Sequence, residues 1–213
     1  MNQGELMIDG KLVAVPFKVV RWDQPGGLGY DEHPANFKAR NRKPDLFVLH
    51  WDVCPSSKVC HEVLIDRGLS VHLLVDGDDD ATVYQCLDLA RYTAQHAAPE
   101  NWRSVGVEIN NPVVIHDDIK TDRPVAEAQP KANGREVWSH YDFTEAQRVR
   151  VVQLTTAICE ALNIPKVIPS AGGKVDKMQP GVVGHYHITT AKIDPGFTLW
   201  PAFEAAGFKR EAW

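Results

Sequence analysis

Three side chains with metal-binding chemistry lie far apart in this chain: His50 in DLFVLHWD, and His185 and Asp194 in GHYHITTAKIDPGF. Two imidazoles and a carboxylate make three ligands, and a zinc ion held by three protein groups leaves its fourth position to water or substrate. Lys192, just before Asp194, adds a cation beside that prospective site. The chemistry this set suggests is hydrolysis. The ion lowers the pKa of its water from about 15.7 to about 7, and a neighbouring ammonium steadies the oxyanion of an attacked carbonyl. An amide is the leading substrate class.

Taken singly, each residue has a plainer reading. His50 falls inside the apolar run 46–51, where a histidine is more often a hydrogen-bonded core residue than a ligand. The same discount applies to His185. Asp194, followed by Pro195 and Gly196, could simply begin a turn. Only the conjunction points to a metal. His187 is a rival third ligand, because in a strand it shares a face with His185.

Regular elements must position these groups. Residues 46–51 form a continuous apolar run of strand length, as in a strand buried on both faces. Residues 12–22 are apolar and β-branched, but Pro16 breaks them or confines them to a sheet edge. Ser57 is placed to cap a helix that packs Val59, Val63 and Leu64 and stops at Gly68. Strands are expected over 71–75 and 82–86, with Asp76-Gly77 opening the turn between them. Residues 105–109 alternate, with Val105, Val107 and Ile109 on one face. Thr144 and Gln147 spell a capping box. The helix behind it carries Val151, Leu154, Ile158 and Ala161 at a 3.6 period and ends at Asn163 and Pro165. A last strand spans 181–185, and a last helix, 199–206, is closed by Gly207. Alternating strands and helices imply an α/β fold, a single domain with a central mixed β-sheet flanked by helices. Two stretches rich in proline, 112–143 and 165–181, are expected to wrap the surface or rim a groove.

With 213 residues, 44% of them hydrophobic, the chain can bury one sizeable core. A net charge of -5 gives no general attraction to nucleic acid. No apolar run reaches the roughly 20 residues of a membrane helix, so neither nucleic acid nor membrane is an expected partner. The opening MNQGELMIDGKLVAVP lacks the basic region and apolar core of a secretory signal, and cytoplasmic synthesis is expected. Cys86 and Cys159 read as small buried hydrophobes. Cys54 and Cys60 are spaced for either a disulfide or two free thiols. His33, His61, His116 and His140 stand in polar surroundings and are expected to be exposed. His72 either packs in the core or orients a ligand.

The segments FVLHWD, SVHLLVDGDDDATVYQ, ARYTAQHA, SVGVEINNP, DFTEAQ and GHYHITTAKIDPGF, in that order over residues 46–205, resemble the zinc-dependent N-acetylmuramoyl-L-alanine amidases. That family includes phage lysozymes and bacterial anhydro-muropeptide amidases, and animal peptidoglycan recognition proteins share its fold. The resemblance implies Zn2+ as cofactor, held by His50, His185 and Asp194, with Lys192 at the oxyanion. It implies Glu108 as general base and then acid. Some relatives instead use a tyrosine at the position of Val71. Apart from the resemblance, Glu108 reads as a strand residue paired with Arg103 or Lys192. His96 in TAQHA matches a histidine near the substrate groove and is expected to contact substrate. The Cys54–Cys60 pair resembles a disulfide of the animal proteins. The implied partner is peptidoglycan or a soluble muropeptide, cut between N-acetylmuramic acid and L-alanine. A phage-type endolysin would reach the wall at lysis. The alternative is a non-catalytic peptidoglycan-binding module, and the absence of H-E-x-x-H removes the commonest other zinc peptidase. The expected organisation is an N-terminal extension, 1–40, packed on an amidase domain, 41–213, with a surface insertion at 112–143.

Overall fold

In the computed structural model, residues 3–30, 37–112, 121, 123–126 and 140–213 are described. The chain starts with an antiparallel hairpin, β1 (Gly4–Ile8) and β2 (Lys11–Val15). Asp9 and Gly10 turn it at φ of 53° and 71°, the two left-handed residues that a tight hairpin matching the strand twist requires. Beyond Pro16 the chain resumes as β3 (Val19–Arg21), which takes an outer edge of the main sheet. The proline break is where the sequence puts it, but β1 was not foreseen. After β4 (Phe37–Ala39) comes β5 (Leu46–Asp52), buried along its whole length. The chain continues through α1 (Ser57–Asp66), β6 (Leu73–Val75), β7 (Val83–Gln85), β8 (Tyr92–Ala94), one 3-10 turn at Glu100–Arg103, and β9 (Ser104–Asn110). Two-residue strands β10 (Val125–Ala126) and β11 (His140–Tyr141) pair with each other before α2 (Glu145–Leu162). The last elements are β12 (Val167–Pro169), β13 (Gly181–Gly184), α3 (Trp200–Ala205) and β14 (Lys209–Glu211).

The main sheet runs β13-β5-β9-β6-β7-β3. Only β6 and β7 are antiparallel, and the other neighbours are parallel, so the sheet is mixed, as expected. Its two faces have different tasks. Phe47, Leu49 and Trp51 of β5 and Val105, Val107 and Ile109 of β9 pack against Val151, Leu154, Ile158 and Leu162 of α2 and against Trp200 and Phe203 of α3. Each such fully buried side chain stabilises the fold by roughly 1.5–3 kcal/mol. Helix α2 has the expected capping box, Thr144 with Gln147, and Asn163 at φ 57° closes it. The opposite face of β5 and β9 carries Leu46, Val48, His50, Asp52 and Ser104, Gly106, Glu108, Asn110, which lie side by side in register. The site is built on this second face.

Several expectations are corrected. The cap of α1 is Ser56, whose side chain accepts from Val59 N. The helix buries Cys60, His61 and Leu64 rather than Val63, because it meets Tyr30, Val71, Leu74 and Cys86 beneath it. His61 is therefore buried, not exposed, and stacks near Tyr30. His140 is buried against Trp51. Residues 165–181 supply β12, which pairs in parallel with β14. His33, His116 and most of 112–143 lie outside the described residues. All four cysteines carry free thiols, with Cys86 and Cys159 buried.

Candidate active site

Parallel strands β5 and β13 lie side by side, and β13 stops at Gly184 opposite Leu49, which brings His185 next to His50. His185 opens a 3-10 turn rather than extending the strand. The chain then loops back, tied by Ile188 N to His185 O at 3.0 Å and by Tyr186 N to Asp194 O at 3.2 Å. Gly184 makes the return possible: a Cβ there would meet the Tyr186 ring at 2.7 Å and Pro195 Cδ at 2.8 Å. The Tyr186 hydroxyl, accepting from Trp200 Nε1 at 2.8 Å, anchors the turn to α3.

His50 Nδ1 lies 3.0 Å from His185 Nδ1 and 3.0 Å from Asp194 Oδ2, and His185 Nδ1 lies 3.2 Å from the same oxygen. Three lone-pair atoms at such distances repel one another unless positive charge sits among them. The group is buried and has the composition of a metal site. Burial, and then the neighbouring His185, pushes the His50 pKa down to about 4, which leaves its imidazole neutral and able to coordinate. Burial alone would raise Asp194, but hydrogen bonds with His185 and His50 outweigh it and hold the carboxyl low, so it stays ionised. His187 is not a ligand. Its Nδ1 accepts from Gly184 N at 3.0 Å and its Nε2 faces Ala171 O at 3.0 Å, because the turn breaks the shared face a strand would give.

Glu108 stands opposite His50 in the β5–β9 register. Its Oε2 is buried and has no hydrogen-bond partner. Burial, and then the charges of Asp194 and Asp52, raise its pKa well above the usual carboxylate range, while Lys192 and Arg67 pull it down. No ion pair joins it to Arg103, which binds Asp45, or to Lys192. Lys192 is exposed on the loop before Asp194. Val71, at the position where some relatives carry tyrosine, is buried in the core.

These groups share one cleft of ≈ 340 Å³, lined by His50, His185, Asp194, Glu108, Lys192 and His96 among others. All six residues singled out in the sequence therefore meet in one place. Arg67, at the end of α1, contributes a second exposed cation, and Val63, Leu64 and Leu69 an apolar wall. Both ring nitrogens of His96 are engaged within the protein, Nδ1 at 3.0 Å from His50 Nε2 and Nε2 at 3.1 Å from Ser104 Oγ. Sequence reasoning missed Ser104, Arg67 and Asp52. The signal for Ser104 was its two-residue spacing from Gly106 and Glu108, which puts all three on one face of a strand.

Comparison with known proteins agrees with this architecture. The family model described as N-acetylmuramoyl-L-alanine amidase matches residues 40–197. No curated protein sequence matches significantly. Among solved structures, the endolysin LysCS from Clostridium intestinale URNW shares 16% identity at a TM-score of 0.53, covering 90% of this chain and 95% of its own. The Ph2119 endolysin of a Thermus scotoductus bacteriophage shares 15% at a TM-score of 0.55, over 89% and 99%. The amidase AmiD from E. coli, solved with anhydro-N-acetylmuramic acid-L-Ala-D-gamma-Glu-L-Lys, shares 20% at a TM-score of 0.50, over 81% and 61%. At such identities the structures speak for the fold alone. The family match spans most of the chain and contains the whole cleft, and the chain belongs to the N-acetylmuramoyl-L-alanine amidase family.

Proposed function

We propose that this protein hydrolyses the amide between the lactyl group of N-acetylmuramic acid and L-alanine, in peptidoglycan or its fragments, with zinc held by His50, His185 and Asp194. The observation that carries this is the convergence of Nδ1, Nδ1 and Oδ2 within 3.0–3.2 Å beside a carboxylate with an unpaired oxygen. Ligands that hold zinc tetrahedrally at 2.0–2.1 Å stand about 3.3 Å apart, so the donor set fits that ion in number, type and spacing. Bound there, zinc supplies Lewis-acid polarisation of the carbonyl and activates water at neutral pH.

The protein's own groups do the rest. Glu108 Oε2 takes the proton of the attacking water and returns it to the departing L-alanine nitrogen. Its lack of a competing partner and its raised proton affinity suit both halves of that transfer. Lys192 Nζ, free and on the rim, balances the charge that develops on the carbonyl oxygen. The apolar wall of Val63, Leu64 and Leu69 suits the alanine methyl, and the exposed Arg67 suits a stem-peptide carboxylate.

The test is product analysis on purified peptidoglycan and on a soluble muropeptide. New L-alanine amino termini should form, vanish on chelation and return with zinc at about one ion per chain. Muropeptide binding without new amino termini would favour the recognition-module reading. Full activity in a metal-free protein would remove zinc from the mechanism.

A further inference from the structure

His96 leaves β8 in a loop and lays its ring over β9. The loop is clamped there, since Asn101 Oδ1 accepts from His96 N at 3.0 Å and Ala97 N at 2.6 Å. Beneath the ring lies Gly106. A Cβ at Gly106 would sit 2.4 Å from His96 Nδ1, 2.5 Å from Cε1 and 2.8 Å from Cγ. The strand cannot yield to make room, because Gly106 N donates to the buried His72 Nδ1 at 3.1 Å and Gly106 is paired with Val48 in mid-sheet. The glycine is thus a seat for the imidazole.

The seated ring joins two partners. Its Nδ1 meets His50 Nε2 at 3.0 Å, and its Nε2 meets Ser104 Oγ at 3.1 Å. A neutral imidazole that presents the Nδ1 lone pair to a cation carries its proton on Nε2. With a cation among His50 Nδ1, His185 Nδ1 and Asp194 Oδ2 in place of the hydrogen bonds between them, the Nε2–H of His50 is the donor and His96 Nδ1 the acceptor. That fixes the proton of His96 on Nε2, where Ser104 Oγ accepts it. Each assignment forces the next. With both nitrogens so committed, His96 offers an incoming substrate only a carbon edge.

We propose that His96 is a positioning residue, seated on Gly106 and braced by Ser104, that holds His50 in the rotation and tautomer in which Nδ1 faces the metal. Outer groups that receive the far N–H of a ligating histidine set metal affinity in this way. The proposal rests on the metal reading above, and it accounts for Ser104, Gly106 and Glu108 alternating along one strand: brace, seat and proton carrier face the same side.

The experiment measures zinc affinity by chelator competition, together with the melting temperature of the metal-free protein. His96→Ala should weaken zinc binding roughly 10- to 100-fold. His96→Asn, whose Oδ1 takes the place of Nδ1, should recover most of the loss. Gly106→Ala should weaken binding by a similar factor when His96 is present and add almost nothing to His96→Ala, because the added methyl then meets no ring. Ser104→Ala should cost less than His96→Ala. His50→Ala serves as the control for site-specific binding. The proposal is overturned if His96→Ala binds zinc as the parent does, or if Gly106→Ala costs the same factor in both backgrounds. If His96→Ala fails to fold, His96→Asn and Ser104→Ala decide it: unchanged affinity in Ser104→Ala with no recovery in His96→Asn relative to Gly106→Ala removes the brace. A parent protein that binds zinc no better than His50→Ala would instead bring down the metal reading itself.

Discussion

Glu108 on β9 and His72, just before β6, are both ionisable groups shielded from water, yet they use burial differently. For Glu108 it raises proton affinity beside a cleft, which suits the uptake and release of a proton proposed for it. Glu108→Gln should lower kcat by about 10²–10⁴-fold and Lys192→Ala by about 10²–10³-fold, with zinc content unchanged in both. Loss of zinc alongside activity would move either residue into the metal-holding set. His72 is structural. Burial first, and then the Arg40 cation, lowers its pKa to about 3, against about 6.5 in an unfolded chain. A folded value below the unfolded one means its stabilisation is complete above about pH 6.5 and is lost as pH falls towards 3, by up to ~1.4 kcal/mol per unit. Asp52, raised by burial to about 7, acts in the opposite sense and loses its contribution as pH rises. In His72→Asn the Asp52 effect is common to both proteins. Urea unfolding at pH 7 and pH 4 should show the parent losing more stability than the variant, and equal losses would clear the imidazole of this role. At this scale the sequence was legible where residue type restricts chemistry, as at His50, His185 and Asp194. It was not legible for His61 and His140, whose polar sequence neighbours say nothing of Tyr30 and Trp51, the rings that cover them in space.

Elements were legible where one physical rule dominates. The unbroken apolar run of β5, the alternation of β9 and the capping box of α2 each follow from local sequence. Elements defined by partners were not: β12 and β14 exist because they pair with each other across some forty residues of chain. The buried face of α1 was misjudged for the same reason. Helix α2 shows local and distant demands meeting in one residue. Gln147 completes the capping box by accepting from Thr144 N at 3.1 Å, and its amide donates to Asn110 O at 2.7 Å and Asp76 O at 3.1 Å. It thereby ties the helix start to the ends of β9 and β6. Thr144→Ala should cost about 1 kcal/mol. Gln147→Ala removes both donors of its amide, from the Asp76 carbonyl and from the Asn110 carbonyl that Arg123 also reaches, and should cost about 1–3 kcal/mol beyond that. At ~2–4 °C per kcal/mol for a chain of this size, calorimetry can rank the two, and equal melting temperatures would make Gln147 only a cap.

Across the whole molecule, the family match begins at residue 40, but the core does not. Leu6, Ile8, Val15 and Phe17 belong to the same buried cluster as α2 and β5. Gln85 bridges Met7 N and O at 2.8 and 2.7 Å, while Asp88 accepts from Asp9 N and Gly10 N at 2.9 and 2.7 Å. Each of those apolar side chains is worth roughly 1.5–3 kcal/mol, against a total stability of ~5–15 kcal/mol. Removing residues 1–39 should therefore give an insoluble or molten protein by circular dichroism and gel filtration. A sharp, unshifted melt would make the extension dispensable. None of the described helices is long and apolar enough to cross a membrane. One consequence of the strand order concerns synthesis. His50 sits on β5, made well before the turn and loop after β13 that carry His185 and Asp194, at the outer edge of the sheet opposite β3. A nascent chain that has emerged as far as β13 holds one of the three clustered donors, and one that has emerged past residue 185 holds two. The cluster is complete only once Asp194 has been added, so a chain cut short before it lacks the carboxylate of the group.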